Sequence, residues 1–160
     1  MLRTLILLLL ILPSFCFAVT PYGGIGYVNY LNSGEDQNTT SFIAGLETGK
    51  EKFPWVFTFS FVNNYIRFVG EDNNIGSHFI ATAGKQLNHK FKNGLKIYGE
   101  FGLVGVTRET IATSSYYNFY ESVGFGYKRL RLWIRHISNA SLKGRNVGEN
   151  VLYIGYVFNK

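Results

Sequence analysis

From Trp55 to Val62 the chain alternates without a break: Trp55, Phe57, Phe59 and Phe61 fall on one parity, with Thr58 and Ser60 between them. A period of two belongs to an extended strand, whose successive side chains point to opposite faces. The same period returns along most of the sequence, interrupted by polar loops. It constrains the chain more than any other feature, because it admits only sheet. An aromatic row this dense could line a soluble sandwich, but beside polar partners it suits a surface facing hydrocarbon.

The pattern predicts eight strands. The first covers residues 22–32, and the second covers 41–49 with Phe42, Ala44 and Leu46 on one face. The third starts at Trp55 and the fourth covers 78–87. In the fifth, Leu95, Ile97, Phe101 and Leu103 alternate with Lys96, Tyr98 and Glu100, so Lys96 and Glu100 would pair across a polar lumen. The sixth covers 116–127, where Glu121 breaks the pattern by falling on the face of Phe119 and Val123; a bulge or a register shift would account for it. The seventh and eighth occupy 130–158 around a polar loop. Loops at 33–40, 70–77 and 107–114 are polar, whereas 50–54 and 88–94 are turns.

Strands of about nine to fourteen residues are long enough to cross a bilayer when tilted. The fold expected is an eight-stranded antiparallel transmembrane β-barrel, too narrow to be a porin and filled by its own side chains. An even strand number puts both termini on the periplasmic side and the longer loops outside. The ending Tyr156-Val157-Phe158 resembles the aromatic terminus of outer-membrane barrels, with Asn159 and Lys160 beyond it.

Residues 1–18 read as a signal peptide, leaving 19–160 as the single barrel domain. Arg3 precedes the apolar run from Leu5 to Leu12, which is too short for a spanning helix, and Cys16-Phe17-Ala18 puts small residues at −3 and −1. The bulky Phe15 before Cys16 argues against a lipoprotein signal. The exported chain then has no cysteine, hence neither disulfide nor thiol chemistry. It keeps 15 basic and 10 acidic residues, a surplus of five positive charges. On an exported chain such a surface suits anionic lipid better than nucleic acid. Gly23, Gly24 and Gly26 do not form a nucleotide loop, since no helix pattern follows them.

The chemistry concentrates between Leu130 and Phe158. Leu130, Leu132, Ile134, His136 and Ser138 share one face of the seventh strand, and Asn150, Leu152, Ile154, Tyr156 and Phe158 share one face of the eighth. Polar groups thus sit at the loop end of two oily faces. A serine becomes a nucleophile when a base takes its proton, and His136 two residues before Ser138 can lean toward it. A third group must fix the imidazole tautomer. Asn150 and Glu149 are the candidates. Parity puts Asn150 outward with His136, in a pairing of 136 with 150 centred on Lys143, and puts Glu149 inward. Asn150 is the first choice; Glu149 could reach the site only through a bulge, although a carboxylate would steady imidazolium better. Arg131 and Arg135 face inward and are expected to pair with Glu47 or Glu100, with Trp133 packing beside them. His78 and His89 have no such company and read as structural. The glycosylation pattern Asn139-Ala-Ser141 is a chance match.

His136-Ile-Ser-Asn-Ala140 followed by Asn146-Val-Gly148 resembles the signature of the PagL-type lipid A 3-O-deacylases, small eight-stranded outer-membrane esterases. The resemblance covers about residues 130–158 and implies His136 as base, Ser138 as nucleophile and Asn139 as an oxyanion donor with the backbone N–H of Ser141. It implies hydrolysis of the 3-position acyl ester of lipid A, the lipopolysaccharide anchor of the outer leaflet; no acidic cluster near the site suggests a metal, and no cofactor is expected. Lys143 and Arg145 would engage phosphates. The family's acid falls where this chain has Asn150, with Glu149 one step earlier. Outer-membrane phospholipase A has a similar His-x-Ser pair with an Asn, but it is a larger, calcium-dependent barrel of twelve strands. Two rivals stay open: a non-catalytic eight-stranded barrel acting as adhesin or envelope stabiliser, and a phospholipid esterase. Whether the barrel pairs into a homodimer is also open.

Overall fold

The computed structural model describes residues 19–29, 38–63, 76–108, 115–140 and 148–158. The expected signal peptide lies outside them, as do Ser141, Lys143 and Arg145. The strands are β1 (Val19–Asn29), β2 (Asn38–Thr48), β3 (Trp55–Val62), β4 (His78–Lys90), β5 (Leu95–Val106), β6 (Tyr117–Tyr127), β7 (Leu130–Ser138) and β8 (Glu149–Val157). Each pairs antiparallel with the next, and β1 pairs with β8 to close the barrel. The architecture is the one the alternation predicts. Its boundaries differ in detail: β1 begins three residues before Tyr22, and β4 runs to Lys90, beyond Leu87. Glu121 needs neither bulge nor slip, because the ladders on both sides of β6 run unbroken past it. It is simply an outward-facing carboxylate.

Side chains alternate between a buried interior and an exposed wall. Outward positions are overwhelmingly apolar: Leu103 and Val123 are each 62 % exposed, and Phe101 59 %. A continuous oily belt of this kind is tolerable only with lipid as its solvent. Toward the end with the short turns, Lys85 points outward and lays its Nζ 4.1 Å from the Trp55 ring centroid and 4.9 Å from that of Phe53. An aromatic girdle with a lysine reaching to the boundary is how such a wall meets the interface.

The interior holds charge, and Glu47, Lys96, Glu100, Arg131 and Arg135 are matched there. Arg131 donates two hydrogen bonds to the Glu47 carboxylate, one of them 2.9 Å long, and Lys96 Nζ stands 3.8 Å from the same group. Arg135 donates to Glu100 at 3.1 Å, to Thr58 Oγ1 at 3.0 Å and to Ser122 Oγ at 3.1 Å. Both arginines therefore pair as expected, whereas Lys96 turns to Glu47 because Arg135 holds Glu100. The Tyr22 ring lies 4.8 Å from the Arg131 guanidinium and the Tyr120 ring 4.6 Å from that of Arg135. Glycines make room for the rings: a Cβ on Gly45 would strike Tyr22, one on Gly26 would strike Tyr153, and one on Gly155 would strike Trp133. Gly24, opposite Gly155 at the closing seam, has the Ile154 carbonyl where its Cβ would go.

Removing one member of a buried ion pair strands the other, at a cost of about 3–5 kcal/mol. Arg135→Ala should lower the stability of the barrel by that amount, read as a shift in the urea midpoint of protein refolded into lipid vesicles. Replacing Arg135 by Met and Glu100 by Leu together should recover more than half of the loss.

Candidate active site

Strand β7 delivers His136 and Ser138 to the outer wall at the end where the longer loops emerge, with Arg135 before them and Ile137 between them buried on the inner side. Just beyond Ser138 the chain turns through Ala140, whose φ of 51° is uncommon for a residue with a side chain. On the returning side Gly148 also has positive φ, 76°. A Cβ there would collide with Cε1 of His136 and stand 3.0 Å from Nε2, so the glycine is what allows the imidazole to lie flat against the chain.

His136 and Asn150 are paired across β7 and β8, and His136 Nδ1 lies 3.0 Å from Asn150 Oδ1. With a carbonyl oxygen as its partner, Nδ1 carries the proton and Nε2 is left bare. That is the tautomer a general base needs. Glu149, the other candidate, is fully buried, faces Ile137 in the ladder, and stands 4.0 Å from His78 Nε2. His78 is itself 1 % exposed, consistent with the structural role expected of it.

No hydrogen bond joins Ser138 to His136 among the described residues, but both line one groove of about 620 Å³ in the outer wall with Phe101, Phe119, Glu121 and Ala140. A long catalytic contact in a substrate-free site is ordinary and tightens when substrate binds. Asn139 follows the last residue of β7 and is 2 % exposed. The reading of the sequence missed two neighbours of the imidazole. Glu121 is the ladder partner of His136 on β6, and its signal was its misfit with Phe119 and Val123. Gly148 belongs to the motif, but its tight fit under the ring depends on a φ that the sequence does not print. Among the described residues no group of three His, Cys, Asp or Glu is placed to hold a metal ion.

The tautomer can be read directly. ¹⁵N spectra of the folded barrel in detergent should show His136 with its proton on Nδ1, and Asn150→Leu should abolish that preference. Gly148→Ala should also abolish it by pushing the ring off its partner. An unchanged spectrum in either variant would contradict the geometry.

Comparisons with known proteins bear on the fold and on the second half of the chain. Residues 82–159 match the family model described as lipid A 3-O-deacylase (PagL). Among solved structures, Neisserial surface protein A superposes with a TM-score of 0.64 at 11% identity, covering 89% of this chain and 97% of that one. The outer-membrane enzyme PagL superposes with a TM-score of 0.58 at 13% identity, covering 89% of this chain and 100% of that one. A designed transmembrane β-barrel gives 0.51 at 15% identity, over 88% of this chain and 94% of that one. At these identities the structural likeness speaks for the fold. No curated protein matches the sequence. Over its second half, from Thr82 in β4 through β8, the chain carries the sequence pattern of the lipid A 3-O-deacylase (PagL) family, on a barrel of outer-membrane type.

Proposed function

We propose that this barrel is a serine esterase that removes the acyl chain from the 3-position of lipid A in the outer leaflet. The observation that carries the reading is the orientation of His136 and Ser138: they face lipid, at the rim of the wall, with Nδ1 of the imidazole tied to Asn150. A membrane-embedded ester can reach such a site without leaving the leaflet. The lumen, filled by Arg131, Arg135 and their partners, offers no route to one.

The steps follow from the tautomer. The bare Nε2 of His136 takes the Ser138 proton as Oγ attacks the ester carbonyl carbon. The oxyanion that forms accepts hydrogen bonds from Asn139 and the backbone N–H of Ser141, a contribution typically of a few kcal/mol. Collapse of the intermediate breaks the bond to the sugar oxygen, which leaves with the proton from His136. Water then attacks the acyl-serine with His136 again as base, releasing a fatty acid and restoring Ser138. Asn150 holds the ring through both halves. Lys143 and Arg145 engage the phosphates of the substrate. The family match over residues 82–159 supports lipid A as substrate ahead of a phospholipid.

Lipid A and phospholipids extracted from cells producing the wild type or Ser138→Ala, and analysed by mass spectrometry, test the assignment. The wild type should shift lipid A by the mass of one 3-hydroxyacyl group, and Ser138→Ala should reduce the rate by about 10³-fold or more. Release of fatty acid from phospholipid alone would favour the phospholipid esterase, and identical spectra would favour the non-catalytic barrel. Asn150→Ala should lower kcat roughly 10²-fold, whereas Glu149→Gln, acting behind the wall, should leave kcat within about threefold.

A further inference from the structure

We propose that Glu121 is a positioning residue for His136: its carboxylate stands on the side of the imidazole opposite Asn150 and offsets the positive charge the ring acquires when it takes the serine proton. The inference rests on the esterase reading above and concerns the same site.

Three observations carry it. His136 has two ladder partners, Asn150 on β8 and Glu121 on β6, so the ring is flanked in register from both sides. Adjacent strands bring directly opposite residues to about 4.5–5.5 Å between Cα atoms, within reach of a glutamate and an imidazole. Glu121 also lines both depressions beside the ring, one shared with His136 and Ser138, the other with His136 and Asn150. Finally, the carboxylate makes no hydrogen bond or ion pair among the described residues, although it sits between Phe119 and Val123 on an otherwise oily strand face. An unpaired carboxylate on a lipid-facing wall is destabilising, less so toward the rim. Packing gives no reason for it; a transient cation beside it does.

Chemistry supplies the need. Asn150 fixes the tautomer of His136 but is neutral and cannot balance imidazolium. On the face of His136 its other neighbours are Ile134 and Ser138 on β7 and Leu152 on β8, none of them charged. Arg135 and Glu149 lie behind the wall, occupied with Glu100 and beside His78 respectively. Among the described residues, the carboxylate that faces this ring is Glu121. The charge that a direct acid would supply is thus provided from the neighbouring strand.

The test uses purified, folded barrels acting on lipid A in mixed micelles, with folding verified by the heat-dependent gel mobility of the intact barrel. Glu121→Gln should lower kcat about tenfold with KM within about twofold, and Glu121→Asp should retain most of the activity. Asn150→Glu places a carboxylate directly on Nδ1. In that background Glu121→Gln should change kcat by less than about threefold, since the charge is already balanced. An active wild type whose kcat is unmoved by Glu121→Gln overturns this proposal alone, as does an equal loss in both backgrounds. A wild type that releases no acyl chain overturns the esterase reading, and the role of Glu121 with it.

Discussion

In hydrocarbon no water is present to satisfy a free amide, so a sheet crossing a membrane must return to its own first strand. The seam between β1 and β8 meets that demand, and the other features of the barrel depend on it. Gly24 and Gly155 face each other there, and a side chain on Gly24 would meet the Ile154 carbonyl. Closing on eight strands leaves a bore about as wide as the side chains inside it. Tyrosines, Trp133 and two arginines with their glutamates occupy that bore, with glycines opposite the largest rings. The inner polarity is therefore structural. It is not a pathway.

With the interior filled, a ligand could meet this scaffold only at its outer wall or its loops. Strict alternation makes the outer wall oily, so polar residues on it stand out. They gather where β6, β7 and β8 meet the longer loops: Glu121, His136, Ser138 and Asn150. The same periodicity that buries Arg135 and Ile137 exposes the residues between and beyond them. Inner brackets of charge and an outer polar row are two readings of one strand.

Much of this was legible from the residues because parity is a rigid rule. It assigned His136, Ser138 and Asn150 to one face, set Glu149 on the other, and sent Arg131 and Arg135 inward to glutamates, all as the structure has them. The pairing of 136 with 150 followed from the hairpin being centred on Lys143. What parity does not give is the register between strands joined through a turn whose length is itself uncertain. Glu121 looked like a defect because its partner is on the next strand, and only the β6–β7 ladder puts His136 opposite it. Lys96 was assigned to Glu100, but the nearer claim of Arg135 on that carboxylate depends on how the barrel curls. The fit of His136 over Gly148 rests on a backbone angle, which no pattern of residue types specifies.

Arg135 and His136 are consecutive, and that adjacency has a mechanical result. The guanidinium is anchored to Thr58 on β3, Glu100 on β5 and Ser122 on β6, so the backbone of β7 is braced from three directions just inside the wall. The imidazole on the far side of that backbone inherits the stiffness. A loosened anchor in the bore would reach the outer surface as play in the ring, without any residue of the groove being touched.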